Sequence, residues 1–106
     1  MYLWVNLGFG EVYMKRDSQK RLCALLAIEL PVLRASIRIS QDELSKRIGI
    51  SRQTYSLIET QKQPMTWITF MALLAFFENN ERAKKVLQGM DLYSDEDFLE
   101  CVQYLK

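Results

Sequence analysis

Arg52 and Gln53 stand directly after Ser51, and at helical spacing they share a face with Ser56, Leu57 and Thr60. The guanidinium and the carboxamide are planar groups that can each form two hydrogen bonds to one flat polar edge, and an apolar core has no use for either. The chemistry such a face can do is recognition. An arginine fork fits O6 and N7 of guanine, a glutamine amide fits N6 and N7 of adenine, and each pair discriminates by about 1–3 kcal/mol. Leu57 offers an apolar surface, for example to a thymine methyl. Ser51 and the N–H groups of the helix start suit an anion, and Lys62 supplies a cation for a phosphate.

Bond-breaking chemistry finds no comparable support. The chain has no histidine, so the commonest general base and the commonest metal ligand are both missing. It has no glycine-rich phosphate loop, no metal-ligand cluster and no nucleophile beside a base. No enzyme activity, cofactor or metal is therefore expected. Cys23 and Cys101 sit in apolar helical contexts, outside any CxxC pair, and read as small core residues in a reducing cytoplasm.

A length of 106 residues, 49% of them hydrophobic and 25% charged, predicts one compact soluble domain. The opening "MYLWVNLGFGEV" has no basic n-region, contains Gly8, Gly10 and Glu11, and is too short for a bilayer, so neither a signal peptide nor a membrane anchor is expected. The net charge of +1 hides an asymmetry. From Arg34 to Gln63 there are six Lys/Arg against three Asp/Glu, and from Pro64 to Lys106 four against seven. The middle of the chain is locally basic, which favours a polyanion there, and the tail is acidic.

The elements that position the Arg52 face follow from local signals. Ser40-Gln41-Asp42-Glu43 reads as a capping box, with the Ser40 hydroxyl accepting from a backbone N–H and Glu43 reaching back, so a helix starts at Gln41. Leu44 and Ile48 form its inward face, with Ser45 small enough for a close neighbour. Gly49 ends it by taking a positive φ, and Ser51 caps the next helix, which runs from Arg52 to about Thr60 with Tyr55 and Ile58 inward. Upstream, Leu22, Leu25, Leu26, Ile28 and Leu30 give a helical stripe from Ser18, the expected cap. Pro31 either kinks one long helix or opens a second short one, "PVLRASI". Downstream, Thr66 caps "WITFMALLAFF", Asn80 caps "ERAKKVLQ" before Gly89, and "SDED" caps a last helix with the stripe Phe98, Val102 and Leu105. Residues 2 to 14 alternate as a strand or short hairpin turned at "GFG", the alternative being a mobile extension.

The stretch "ISQDELSKRIGISRQTYSLIETQKQP" resembles the Cro and phage-repressor type of helix-turn-helix regulators, the XRE family, whose wording is "LSQEELA…LGVSRxTISxIExGK". The resemblance covers about Val32 to Asn79. It implies an all-α, five-helix phage-repressor-like domain, here with an extra C-terminal helix and the N-terminal strand or hairpin. The expected division is 1–17 as extension, 18–79 as DNA-binding domain and 80–106 as C-terminal helices, a candidate dimerisation element. The resemblance also implies that the helix starting at Ser51 reads the DNA major groove through Arg52, Gln53, Ser56 and Leu57. It places phosphate contacts on Gln41, Thr60, Gln61, Lys62 and Gln63, with Ser51 added by its own chemistry. Where the family usually has glycine this chain has Gln61, which either accepts a left-handed conformation or lets the helix run on.

The expected partners are double-stranded DNA and a second copy of the chain, since a single module touches few base pairs and useful selectivity normally needs two half-sites. The dimer would use the N-terminal stretch or the last helix. The alternative is an antitoxin or other protein-interaction module on the same fold, burying Tyr2, Trp4, Val5 or the last helix against a toxin or another protein. Tyr55 and Trp67 could stack on bases, but their spacing favours packing. Glu59, a carboxylate that phosphates would repel, is expected to pair with Arg34 or Arg47.

Overall fold

A computed structural model describes residues 2–6 and 11–105, with side chains from Met14 onward. Two strands, β1 (Tyr2–Asn6) and β2 (Glu11–Lys15), pair antiparallel with Tyr2 opposite Lys15 and Val5 opposite Val12. The alternating stretch is thus a hairpin; its expected "GFG" turn lies outside the described residues. Among the described residues six α-helices follow: α1 (Arg16–Ile37), α2 (Gln41–Ile48), α3 (Arg52–Glu59), α4 (Trp67–Glu78), α5 (Glu81–Gln88) and α6 (Glu96–Gln103). A 3-10 turn, Asp91–Ser94, joins the last two. The all-α class with a phage-repressor-like body is what the structure has.

The first helix departs from expectation at both ends of its argument. It starts at Arg16, not Ser18, because β2 runs into it without a loop; Lys15 at the cap position makes no side-chain cap, and Asp17 supplies the acid of the first turn. Pro31 lies inside one continuous helix and does not open a second. The buried stripe is Leu22, Leu26, Leu30 and Leu33, all fully enclosed, whereas Leu25 and Ile28 are 38% and 53% exposed. Positions 22, 26, 30 and 33 keep to one face at 3.6 residues per turn, and 25 and 28 rotate away from it. With Val32, Leu25 and Ile28 make an outward apolar row on α1.

The shorter helices are set by caps that the sequence announces. Ser40, Ser51, Thr66 and Asn80 each accept from the backbone N–H three residues on. Only half of the box at Ser40 forms, however: the Glu43 carboxylate faces Arg47 at 3.5 Å, one turn along α2. Asp95 is the cap of α6, accepting from Asp97 and Phe98 N–H and pairing with Arg21 of α1, as Asp97 does.

All six helices enclose one core running from Met14 to Val102. At its centre α4 contributes Phe70, Leu73, Leu74 and Phe77, each fully buried, and Trp67 stacks on Phe70 with ring centroids 4.7 Å apart. Tyr55 and Trp67 are thus packing residues, unavailable to stack on bases. Phe98 meets Phe70 edge-on at 6.4 Å, which ties α6 to α4. The stripe Phe98, Val102 and Leu105 faces inward: Phe98 and Val102 are buried in the chain's own core and Leu105 packs partly against it, so those three side chains are not free for a second subunit.

Candidate nucleic-acid interface

Gly49 makes the corner between α2 and α3. It sits at φ 80°, and a Cβ added there would meet nothing within 4 Å, so glycine is called for by backbone conformation alone and not by crowding. Its N–H and that of Ile50 close on Lys46 and Ser45 carbonyls, and the chain turns straight into Ser51. The inner faces of the two helices are anchored by Leu44, Tyr55 and Ile58, and the small Ser45 is buried with them at 1% exposed. What remains outside on α3 is its polar face.

Arg52 and Gln53 are exposed, and Ser56 and Leu57 are half-buried. With Gln41 of α2 they line one open depression of about 510 Å³. The four expected base-reading residues and one expected phosphate contact therefore meet on a single surface. Gln61, Lys62 and Gln63 are also exposed but border a different groove, between the end of α3 and α1, beside Lys20, Ile28 and Met65.

Several of the expected phosphate donors already have partners within the fold. The Ser51 hydroxyl donates to Thr54 Oγ1 (2.9 Å) while accepting from Thr54 N–H, so its proton serves the cap. Thr60 donates its hydroxyl to the Ser56 carbonyl (2.7 Å) one turn back. The N–H groups of Gln61, Lys62 and Gln63 close on Ile58 and Leu57 carbonyls, which leaves only side chains of that segment for an anion. Gln61 accepts the left-handed conformation, at φ 62°, and α3 ends at Glu59. Replacing it with glycine removes the clash of Cβ with the backbone; Gln61→Gly is expected to raise stability by about 0.5–1 kcal/mol in urea unfolding followed by helical circular dichroism.

The local positive charge is smaller than the count of cations implies. Arg34, Lys46 and Arg47 are paired with Glu59, Asp42 and Glu43. Among the described residues, Arg38, Arg52 and Lys62 of the central segment have no acidic partner within 4 Å.

Beneath the depression lies the ion pair that the sequence left between Arg34 and Arg47; the structure selects Arg34. Its Nε and Nη2 each donate to one Glu59 carboxylate oxygen at 2.8 Å, and Nη1 donates to the Ile39 carbonyl at 3.0 Å. Gln41 Nε2 donates to the same Glu59 Oε1 at 3.3 Å. Burial by itself would raise the Glu59 pKa, but the hydrogen bonds and charge of Arg34, with Gln41 adding, hold the carboxyl below its ordinary range. Burial also pushes the neighbouring Tyr55 hydroxyl far up, so it stays protonated. The link from Glu59 to Gln41 is absent from the sequence reading. Its one signal there was a carboxylate expected to pair with an internal arginine instead of meeting DNA.

No helix among the described residues is long and apolar enough to cross a membrane. No curated protein and no solved structure matches the chain. Residues 33–67, from the last turns of α1 through α2 and α3 to the start of α4, match the family model described as helix-turn-helix. With the glycine corner, the capped second helix and its outward Arg-Gln face in place, residues 33–67 form a helix-turn-helix unit similar to those of the Cro and phage-repressor type, the XRE family.

Proposed function

We propose that the protein is a sequence-specific regulator of transcription, a small repressor that reads the major groove with α3 as a two-fold dimer. The observation that carries the reading is the depression shared by Gln41, Arg52, Gln53, Ser56 and Leu57, where two bidentate polar groups, an apolar side chain and an amide from the preceding helix converge on exposed surface. Arg52 and Gln53 supply base discrimination, and Leu57 supplies an apolar contact. Lys62, with Gln61 and Gln63 beside it, meets the phosphate backbone, and the uncapped N–H groups at the start of α3 add an anion-facing dipole. Ser51 and Thr60 act through the helix they cap and close.

Two copies account for selectivity, because symmetric half-sites about one helical turn apart double the edges that are read. The exposed row Leu25, Ile28 and Val32 is the surface we assign to the second copy, with the N-terminal hairpin as the other candidate. Selection of bound duplexes from random DNA tests the whole reading. The expected product is a pair of inverted half-sites centred about 10 bp apart. A single enriched half-site refutes the dimer alone, and enrichment of nothing refutes base reading.

A further inference from the structure

We propose that Glu59 is a positioning residue for DNA reading: from beneath α3 it fixes the amide of Gln41 and so sets what α2 presents beside Arg52 and Gln53. The inference rests on the reading of that depression as the DNA face, and deepens it by adding a specificity determinant that itself touches no DNA.

The chemistry follows from what each group can do. An ionised carboxylate only accepts hydrogen bonds, and a glutamine amide offers donors at nitrogen and acceptors at oxygen. Glu59 is held ionised by Arg34, so the atom of Gln41 that faces it at 3.3 Å has to be Nε2; the assignment of nitrogen and oxygen is dictated by the partner. Glu59 is itself tethered. It is 8% exposed, both its oxygens are gripped by the Arg34 fork, and Arg34 is tied to the Ile39 carbonyl in the turn before α2. One chain of contacts therefore joins the end of α1, the buried side of α3 and the first residue of α2.

With one Nε2 proton committed to Glu59, Gln41 has its carbonyl oxygen and one remaining N–H for the depression. A freely turning glutamine would offer either end to a base or phosphate. The anchored one presents a defined pair, an acceptor that suits the Arg52 guanidinium or an exocyclic amine and a donor that suits a phosphate oxygen. Its selectivity arises because the mismatched orientation would set a carbonyl oxygen against the Glu59 carboxylate.

The experiment is a double-mutant cycle of Glu59→Gln and Gln41→Ala. It is read as the affinity ratio between the best selected duplex and its single-base variants, with urea stability measured in parallel. Glu59→Gln keeps the size of the side chain, but its amide can satisfy either orientation of Gln41. The expected result is a loss of discrimination of about 3- to 10-fold, the span of one hydrogen bond. In the Gln41→Ala background the same change is expected to leave discrimination unaltered while still lowering stability. A structural role alone predicts equal stability losses and no coupling in discrimination, and that outcome overturns the proposal. A second readout needs neither variant nor DNA. In the free wild-type protein the Gln41 side-chain amide is expected to show one proton shifted downfield and exchanging slowly by NMR, unlike exposed glutamines such as Gln53. An averaged Gln41 signal refutes positioning even if DNA is read, whereas a fixed Gln41 in a protein that prefers no duplex refutes the functional reading and with it this one.

Discussion

Glu59→Ala is expected to destabilise the protein by about 3 kcal/mol at neutral pH, which corresponds to roughly 15 °C in melting temperature for a domain of this size. The loss comes from what is left behind more than from what is removed. Arg34, with a side chain only 20% exposed, would keep its charge and its contact to the Ile39 carbonyl but lose two hydrogen bonds at 2.8 Å. Removing one partner of a largely buried pair leaves an uncompensated charge, whereas replacing both with apolar groups of similar volume is often neutral. The pair Arg34→Met, Glu59→Leu is therefore expected to recover most of the loss, and Glu59→Gln, which keeps acceptors for Arg34, to lose less than Glu59→Ala. Acid unfolding supplies an independent check. Folding lowers the Glu59 pKa below its ordinary 4.5, so this residue's contribution is complete above about pH 4.5 and is lost as pH falls through the folded value. The Glu59→Ala protein should accordingly show a flatter dependence of stability on pH across the acid limb. A loss below about 1 kcal/mol at pH 7 would place the pair among surface salt bridges of little worth.

The helix-turn-helix unit was legible because each of its boundaries is decided within a few residues. Ser40, Gly49 and Ser51 act on the backbone next to them, through a cap, a positive φ and a second cap, and no tertiary contact was needed to override them. The polar face of α3 was legible for the same reason, since helical spacing alone separates Arg52 and Gln53 from Tyr55 and Ile58. What the sequence hid depends on neighbours distant in the chain. Leu25 and Ile28 are as apolar as Leu22 and Leu26, and only the placement of α4 and α5 against α1 decides which pair is enclosed. Ser18 looks like a cap, but the helix had already begun out of β2. The hydroxyls of Ser51 and Thr60 look available until their acceptors are located. Phe98 and Val102 form a stripe that could face either a second chain or α4, and periodicity carries no information on which. Arg34, Gln41 and Glu59 come from three helices, so their convergence is a property of the packed fold and of no local window.

Arg52→Ala and Lys62→Ala are expected to fail in different ways, and the difference is what separates base reading from phosphate contact. Both side chains are exposed and neither makes an ion pair among the described residues, so neither change should cost appreciable stability. Arg52 is the first residue of α3, where alanine is well tolerated. Loss of a bidentate contact to guanine removes about 1–3 kcal/mol against the preferred duplex and little against a duplex already changed at that base pair. Arg52→Ala should thus lower affinity for the best site about 10- to 100-fold per half-site while compressing the preference at one base pair of each half-site. Lys62→Ala should instead weaken binding to every duplex by a similar factor and lower the slope of log affinity against log salt by about one per subunit. Titration of both variants against the selected duplex, its single-base variants and an unrelated duplex, over a range of salt, distinguishes the two patterns. Should Arg52→Ala weaken all duplexes alike and flatten the salt dependence, the arginine lies on the backbone; the reading surface would then have to be rebuilt around Gln53 and Gln41, with α3 turned about its axis in the groove.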